Sequence, residues 1–445
     1  MSAIAGILHD RGDVVSGSDR QESDVTRRLR ASGIAVYIGH AAEQVRGADA
    51  VVYSAAIPQD NPELVEAHRL GLEVLERPEM LGRLMEPYAN RVAVSGTHGK
   101  TTTTSMITAI VERAGLDATV LIGGDVACLG GNARLGGSST IVAEACEAFG
   151  SFLHLYPSIA VITNIDADHL DYYGTIERIE ESFAQFVDQV DSKGCVVACW
   201  DDERVRRVLA GCDRRVVSFG LTGSPHLLAA DVDITHPEAE YTLVRGGEKL
   251  GGIVLGVPGE QNVVDSLAAV AVAFELGAGF SDIQAALREF RGAGRRFEVL
   301  YDYGDVMVVD DYAHHPAEIT TTLAGARAAY DRHMIAVFQP HLFSRTREFT
   351  EEFAEALSIA DEVIVTSIYA AREQPIEGVS GESIVNAMKA KGFANARYVA
   401  DMNELPAELA ARVGRGDMVL VIGAGDIRTV GEKLAQMLSE RGPKA

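Results

Sequence analysis

Seven residues near position 100 have the types and the spacing of a phosphate-binding loop. The run Gly96-Thr97-His98-Gly99-Lys100-Thr101-Thr102 follows an apolar stretch, Arg91–Val94, that predicts a strand, and it precedes apolar residues at helical spacing. Backbone N–H groups at a helix start bind anions, the Lys100 ammonium suits the outer phosphates of a nucleotide, and the Thr101 hydroxyl can bind Mg²⁺. Val94 stands where the strict pattern has its first glycine, so the loop alone predicts only a nucleoside-triphosphate site. The alternative is an ordinary helix start with a surface lysine.

The overall composition excludes several classes of protein. The chain has 445 residues, with 64 acidic and 40 basic side chains and a net charge of −24. This acidic excess leaves no surplus of Lys and Arg for a nucleic-acid backbone. The five cysteines form no C-x-x-C pair, which argues against a disulfide framework or a zinc ribbon and favours the reducing cytoplasm. No apolar run approaches the roughly 18 residues of a membrane span, and no signal-peptide pattern is present.

Alternating strand and helix patterns divide the chain into three parts, residues 1–88, 89–293 and 294–445. Strands are predicted at Ile34–Ile38, Val51–Tyr53, Arg91–Val94, Ile141–Ala143, Ile159–Thr163, Cys195–Ala198, Val216–Phe219, Val306–Val309, Met334–Phe338, Glu362–Thr366, Arg397–Val399 and Met418–Ile422. Residues 221–257 predict a small β insertion. The first part begins directly in a predicted helix, Met1–Asp10. The pattern predicts α/β domains with mostly parallel sheets, which bind ligands at the C-terminal ends of their strands.

Four segments, in the same order along the chain, resemble the Mur ligases. The phosphate loop is similar to the family's G-T-[NH]-G-K-T-T, and Thr163-Asn164-Ile165-Asp166-Ala167-Asp168-His169 is similar to its T-N-I-x-x-D-H. Gly259-Glu260-Gln261-Asn262 resembles the adenine-side G-x-H-N, and Arg295-Arg296-Phe297-Glu298 resembles the R-R-F-E that opens a third domain. Three further segments resemble the members of the family that add alanine: Asp310–Pro316 with Glu318, Gln339–Thr346 and Gly423–Ile427.

The resemblance implies a three-domain α/β fold and an ATP-dependent ligation. The expected domains are an N-terminal Rossmann-like domain for a UDP-sugar, without its first strand, a central P-loop domain for ATP, and a C-terminal Rossmann-like domain for the amino acid. The implied activity joins L-alanine to the carboxylate of UDP-N-acetylmuramate in peptidoglycan synthesis. A carboxylate is a poor electrophile, so it is first phosphorylated by ATP with Mg²⁺, and the amine then attacks the acyl phosphate. A monomer or homodimer is expected.

The resemblance also assigns residues to the phosphates and the metal. The loop residues that would hold the phosphates are Gly96, Thr97, Gly99, Lys100, Thr101 and Thr102. Thr101 and Glu144 would bind one Mg²⁺, and His169 would help to bind a second, although oxygen ligands are more usual for this ion. Taken alone, Glu144 is equally a buried carboxylate paired with a base, and His169 a loop residue that caps a helix. Arg296 would contact the γ-phosphate, because its fork matches phosphate oxygens, and Arg295 would form a surface ion pair.

The nucleoside end of ATP would meet three other residues. Asn262 would hydrogen-bond the adenine. Asp265 stands where relatives carry asparagine and would accept from the adenine amino group, while Gln261 replaces a histidine. Asp311 would bind the ribose hydroxyls, with Asp310 as a close rival, and either aspartate is equally typical of a turn cap.

The amino acid would bind to the third domain. His315, His341 and Arg345 would form the alanine pocket, because an arginine suits the carboxylate and a neutral histidine can accept a proton from the amine. The pair His314–His315 also invites a metal-site interpretation, but no cysteine or third histidine lies at ligand spacing.

The UDP-sugar would bind to the first domain. Asp19 and Ser54, each at the end of a predicted strand, would bind the uracil or the ribose, and His98 in the phosphate loop would face the muramate. Relatives usually open with a strand and a G-x-G-G-x-G loop before a sequence like Met1–Gly6, so we expect the natural start to lie upstream.

Two acidic positions of the family are changed in this chain. Glu144-Ala145-Cys146-Glu147-Ala148-Phe149 stands where the alanine-adding members more often have E-A-D-E-S-D, which leaves the metal geometry open. Rival readings are a ligase that attaches a whole peptide to the same sugar, a folylpolyglutamate-type synthetase and a non-catalytic nucleotide-sugar-binding protein. The Gln339–Thr346 and Asp310–Pro316 segments argue against the first two, and the retained Lys100 argues against the third.

Overall fold

A computed structural model of the chain describes residues 1–126, 129–303, 306–371 and 373–441. The chain forms two compact units. The first contains Met1–Ala229, Leu243–Gly251 and Val264–Leu287, and the second contains Ala230–Thr242, Gly252–Val263 and Arg288–Ala445.

The N-terminal elements carry two small parallel sheets. They are α1 (Ser2–Asp10), β1 (Ser16–Asp19), α2 (Asp24–Ala31), β2 (Ala35–Ile38), β3 (Ala50–Tyr53), α3 (Pro62–Leu70), β4 (Glu73–Glu76) and α4 (Arg77–Met85). The pairs β1–β2 and β3–β4 are separate. The helix predicted at the start of the chain is confirmed as α1. Gly12 and Gly33 follow the first two helices with φ of +98° and +95°, a conformation that glycine adopts without strain and that ends a helix.

The central elements form one large sheet. They are β5 (Asn90–Ser95), α5 (Lys100–Arg113), β6 (Thr119–Val126), β7 (Gly131–Arg134), β8 (Thr140–Glu144), β9 (Ile159–Ile162), α6 (Leu170–Tyr173), α7 (Ile176–Asp188), β10 (Cys195–Cys199), α8 (Glu203–Leu209), β11 (Arg215–Gly220), β12 (Leu227–Asp233), β13 (Ala239–Arg245), β14 (Glu248–Leu255), α9 (Glu260–Glu275) and α10 (Phe280–Glu289). The strand order is β7-β6-β8-β5-β9-β10-β11-β12-β13-β14. The predicted strands of this part and the β insertion are confirmed.

The position of β5 explains where a ligand can bind. β5 pairs in parallel with β8 on one side and with β9 on the other. The chain segments that follow these three strands therefore meet at one edge of the sheet, where parallel sheets bind ligands. The strands β6 and β7 were not predicted, because Gly123 and Gly124 interrupt the apolar run of β6, and the sequence Gly131–Arg134 of the edge strand β7 provides no apolar run.

The C-terminal elements form a second α/β sheet. They are β15 (Glu298–Tyr303), β16 (Val306–Asp311), α11 (Pro316–Ala329), β17 (His333–Phe338), α12 (Phe343–Glu348), α13 (Thr350–Leu357), β18 (Glu362–Thr366), α14 (Gly381–Ala390), β19 (Ala396–Val399), α15 (Leu405–Arg412), β20 (Asp417–Ile422) and α16 (Arg428–Arg441). The order is β15-β16-β20-β17-β18-β19. All neighbouring pairs are parallel except β15–β16, and a hydrophobic core lies on each side of the sheet. The half-exposed edge strand β15 was not predicted.

No helix in the described ranges is both long enough and apolar enough to cross a membrane.

Candidate active site

The phosphate loop connects β5 to α5 through two glycines in the left-handed region. Gly96 has φ +132° and Gly99 has φ +81°. A Cβ atom on Gly96 would lie 2.0 Å from Thr163 Oγ1, and one on Gly99 would lie 2.4 Å from Asp265 Oδ1. Both distances are far inside van der Waals contact, so glycine is required at each position for the neighbouring chain to approach.

The Lys100 ammonium lies inside the loop and is paired with a buried carboxylate. Lys100 Nζ donates to the carbonyl oxygens of Gly96 at 2.6 Å and Thr97 at 2.9 Å, and it lies 2.9 Å from Glu147 Oε2. Burial is the largest single influence and lowers the pKa of Lys100, but the charge and hydrogen bond of Glu147, together with the nearby Cys146 and Glu144, outweigh it and the pKa is raised. The site therefore keeps a permanent cation where a polyphosphate would need one.

Glu147 is the residue of this cluster to which the sequence analysis gave no role. It is 3% exposed and lies between Lys100 and His169, whose Nε2 is 4.0 Å from Glu147 Oε1. The signal was present in the sequence, since Glu147 is one of the two acids retained in the segment that begins at Glu144.

Glu144 lies at the end of β8, opposite Val94 of β5. Its Oε1 atom is buried and makes no hydrogen bond within the described chain, while its negative charge helps to raise the pKa of Lys100. The other carboxylate oxygen sits where a Cβ atom on Gly123 would be 2.5 Å away. An uncommitted buried carboxylate oxygen is a suitable ligand for Mg²⁺. Thr101, the other expected ligand, is half-buried at the start of α5.

His169 precedes α6 with a left-handed φ of +55°. It occupies the N-cap position of α6, as the helix-capping alternative predicts, but its side chain makes no capping hydrogen bond. Its Nε2 is directed toward Asp168 Oδ2 at 3.9 Å and toward Glu147. Within the described ranges, no three His, Cys, Asp or Glu side chains are grouped as they would be in a preformed metal site.

The segment after β9 clamps the phosphate loop. Thr97 N donates to Asn164 O at 3.1 Å, and His98 N donates to Asn164 Oδ1 at 2.9 Å. Thr163 Oγ1 donates to His98 O at 2.6 Å. Thr163 and Asn164 therefore fix the backbone of the phosphate loop. The resemblance of this segment to a family motif did not predict that role.

The His98 side chain lies close to a carboxylate in the segment after β9, that of Asp166. Its Nε2 lies 3.8 Å from Asp166 Oδ2, and the proximity of His98 is the main reason why the pKa of Asp166 falls to about 2. Arg204 lies 3.7 Å away on the other side of the carboxylate. The role expected for His98, facing the muramate, stays a prediction.

The remaining residues expected near ATP occupy different settings. Thr102 is buried in α5, and Asp265 is buried with its carboxylate against Gly99, so Asp265 borders the phosphate loop. Asn262 donates from Nδ2 to Pro258 O at 2.6 Å, which fixes the turn before α9.

Asp311 holds a turn in the second unit. Its two carboxylate oxygens accept from Phe297 N and Ala313 N, each at 2.8 Å, and burial raises its pKa to about 6. In the described chain these bonds match the turn-cap alternative, and the ribose role stays a prediction.

Asp310 and Arg295 form a buried ion pair. Asp310 Oδ2 accepts from Arg295 Nε at 3.1 Å and from Arg428 Nη1 at 2.8 Å. Arg295 also donates to Gly423 O at 2.7 Å. The expectation that Arg295 forms a surface ion pair is wrong, because its partner carboxylate is fully buried.

Arg296 lies in a turn whose backbone is strained on both sides of it. Its neighbours Arg295 and Phe297 have φ of +58° and +50°, a conformation that costs a non-glycine residue about 1–2 kcal/mol. The Arg296 guanidinium lies 5.3 Å from the centre of the Tyr312 ring and 3.9 Å from Glu318 Oε1. Such strain persists where the surroundings hold the residue, as at many ligand sites.

Of the histidines expected in the alanine pocket, His341 packs against His314, and His315 packs against Phe349. The His314 and His341 rings meet edge to face at 5.6 Å, and the His315 ring meets Phe349 at 5.0 Å. Glu318 Oε2 accepts from His314 N at 3.0 Å and from His315 N at 3.3 Å. Burial, helped by the charge of Arg345, lowers the pKa of His314, so the cluster holds a neutral imidazole at neutral pH.

The residues expected at the UDP-sugar lie at strand ends of the two N-terminal sheets. Asp19 ends β1 and accepts from Gln21 N at 3.1 Å, and Ser54 follows β3. The sequence analysis missed a polar cluster beside Asp19, in which Ser18 Oγ lies 2.9 Å from Glu63 Oε2 and 3.0 Å from His40 Nδ1.

Comparisons with known proteins agree over the whole chain. The Mur ligase family catalytic domain matches residues 1–89, the Mur ligase middle domain matches 94–273, and the Mur ligase glutamate ligase domain matches 295–425. The UDP-N-acetylmuramate–L-alanine ligase of Geotalea daltonii is 44% identical, over 99% of this chain and 96% of the relative. That of Sorangium cellulosum is 45% identical, over 100% and 95%.

Two solved structures superimpose on nearly the whole chain. The UDP-N-acetylmuramate-alanine ligase of Thermotoga maritima superimposes with a TM-score of 0.86 at 29% identity, over 99% of this chain and 97% of that chain. A murein peptide ligase from Psychrobacter arcticus superimposes with a TM-score of 0.72 at 25% identity, over 98% and 96%.

Proposed function

The chain belongs to the Mur ligase family, and we propose that it uses ATP to join L-alanine to the carboxylate of UDP-N-acetylmuramate in peptidoglycan precursor synthesis. The observation that carries this function is the identity of 44–45% with UDP-N-acetylmuramate–L-alanine ligases over 98–100% of the chain. The proposal includes a cytoplasmic location, because the cysteines suit a reducing compartment, and a monomer or homodimer.

The first half-reaction needs a site that holds two anions together. A carboxylate oxygen attacks the γ-phosphorus, ADP leaves, and an acyl phosphate forms. In the proposal the Lys100 ammonium and the N–H groups at the start of α5 stabilise the phosphates, because both are fixed before the nucleotide arrives. Arg296 stabilises the transferring group with its planar fork.

Mg²⁺ fits the residues present beside the loop. Glu144 offers a buried oxygen without a hydrogen-bond partner in the described chain, Thr101 offers a hydroxyl at the start of α5, and His169 would serve a second ion. When bound, the ion would neutralise phosphate charge. Glu147 keeps Lys100 charged and in place.

The second half-reaction needs an uncharged amine. Arg345 binds the alanine carboxylate, and His315 and His341 line the pocket at the amine. The amine attacks the acyl carbon, the C–O bond to phosphate breaks, and the amide forms as the nitrogen loses a proton. A neutral imidazole can accept that proton, and burial lowers the pKa of His314, whose ring contacts that of His341.

Phosphate release from ATP tests the proposed function directly. The assay contains UDP-N-acetylmuramate and one amino acid at a time, with the murein tripeptide as a further acceptor. We expect release with L-alanine only, and none when either the sugar or the amino acid is left out. Release with the tripeptide alone would favour a peptide ligase, and nucleotide-sugar binding without any release would favour a binding protein.

A further inference from the structure

Tyr369 lies outside every motif that the sequence indicated, yet it packs directly on His341. It follows β18 by three residues. Its ring is stacked on the His341 ring with centroids 5.9 Å apart and planes 15° apart. A further contact of the His341 ring is edge to face with His314 at 5.6 Å. The Tyr369 ring therefore packs flat against the His341 imidazole.

The backbone fixes Tyr369 beside His341. Tyr369 N donates to Pro340 O at 2.8 Å, and Leu342 N donates to Tyr369 O at 3.0 Å. The two residues form an isolated parallel bridge, so the loops that follow β17 and β18 stay paired beyond the ends of the strands. Leu342 has φ +69°, which shows that this pairing holds the chain in a conformation that leucine seldom adopts.

Two further contacts restrict the Tyr369 ring and the chain just beyond it. A Cβ atom on Gly425 would lie 2.7 Å from Tyr369 Cγ, so the loop after β20 closes on the ring. Glu373 accepts from Ser344 N at 2.9 Å and also from Ser344 Oγ, which ties the chain just beyond Tyr369 to the residue next to Arg345. Tyr369 itself is 38% exposed, so the ring remains at the surface of the cluster.

We propose that Tyr369 is a positioning residue for the amino-acid substrate, which acts by holding the His341 imidazole in the orientation that meets the incoming amine. This inference rests on the proposed function. A stack at this distance and angle restricts rotation of the imidazole, and orientation of a proton acceptor is a requirement for its use.

Replacing the ring separates positioning from general stability. We expect Tyr369→Leu to raise KM for alanine about tenfold, from the loss of one aromatic contact, while KM for ATP stays within about twofold. Tyr369→Phe, which keeps the ring, is expected to restore the parent value. Tyr303→Leu, at an exposed tyrosine of β15, is the matched control. Tyr369→Met provides a second ring-free variant if the leucine variant does not fold.

A double-mutant cycle provides the decisive readout. If Tyr369 acts through His341, the double variant Tyr369→Leu/His341→Ala should have the same KM for alanine as His341→Ala alone. Multiplying effects would overturn the inference, and so would an unchanged KM in His341→Ala, or an equal rise in KM for ATP and alanine in Tyr369→Leu. A parent enzyme without alanine-dependent turnover would instead refute the proposed function, which keeps the two failures distinct.

Discussion

The phosphate loop and the histidine cluster of the second unit both lie where parallel strands end, but they are built from different amounts of chain. The loop is one continuous run, Gly96–Thr102, whose glycines already have the conformation that it needs. The cluster is assembled from the loops that follow β16, β17, β18 and β20, and its rings contact one another across gaps of many residues. A continuous site can be recognised from its residues, whereas an assembled site depends on the sheet order.

The pKa values of the titratable groups are shifted in opposite directions in the two regions. Around Lys100, the nearby acidic groups, led by Glu147, together outweigh burial and raise the pKa, so the cation is kept. Around His314, burial dominates and lowers the pKa, so the ring stays neutral. A polyphosphate needs the first kind of site, and an amine that must lose a proton needs the second.

Removal of the loop cation should give the largest effect. We expect Lys100→Ala to lower kcat about a thousandfold or more, as loss of a preorganised charge does. Because Glu147 would be left buried without its partner, the free energy of unfolding should also fall by about 3 kcal/mol. Phosphate release and urea unfolding measure the two quantities.

The variant Lys100→Ala/Glu147→Gln separates catalysis from folding. It removes the unpaired charge, so it should recover stability while remaining inactive. Activity within tenfold of the parent in Lys100→Ala would remove the loop from the mechanism.

The next largest effect should come from a methyl group at Gly99. Gly99→Ala places a Cβ atom 2.4 Å from Asp265 Oδ1, so the loop must shift, and we expect kcat/KM for ATP to fall about a hundredfold. Gly277→Ala is the matched control, because Gly277 has φ +85° but open space around it. Similar losses in both variants would show that backbone strain, and not loop position, is responsible.

A smaller effect, on KM for alanine, is expected in the alanine pocket, which is assembled from several loops. Arg345→Ala should raise KM for alanine about ten- to a hundredfold, as expected when a charged hydrogen bond to the substrate carboxylate is lost, with little change in KM for ATP. Arg347→Ala, at an exposed position of the same helix, should leave both constants unchanged. If the alanine dependence of the Arg345 variant equals that of the parent, the pocket lies elsewhere.

The smallest effect should be a pH dependence of stability at Asp166. Its folded pKa is lowered to about 2 from an ordinary 3.8, so the folded state favours the carboxylate. This stabilisation is present above the unfolded pKa and is lost as pH falls through the folded value. Asp166→Asn should therefore lower the urea midpoint at about pH 6, with a difference from the parent that shrinks below about pH 4. A difference independent of pH would assign the effect to packing.

Much of the fold follows from patterns that are local in the sequence. Most buried parallel strands were predicted because they are continuous apolar runs. The strands β7 and β15 were missed because they lie at sheet edges and carry glycine or polar residues, and β6 was missed because Gly123 and Gly124 interrupt it. The loop residues and the histidines were found from motifs, but Glu147 and Tyr369 were not, since their roles arise from contacts with residues far away in sequence.

The sequence by itself determined the phosphate loop, the order of strands and helices along the chain, and the family, because each depends on residues that are neighbours in the chain. Only the tertiary structure decided which carboxylate pairs with Lys100, that Arg295 pairs with the buried Asp310, and that Tyr369 packs on His341. The physical reason is that pKa values, burial and ring contacts depend on distances across the sheet, and these distances are set by strand order and packing.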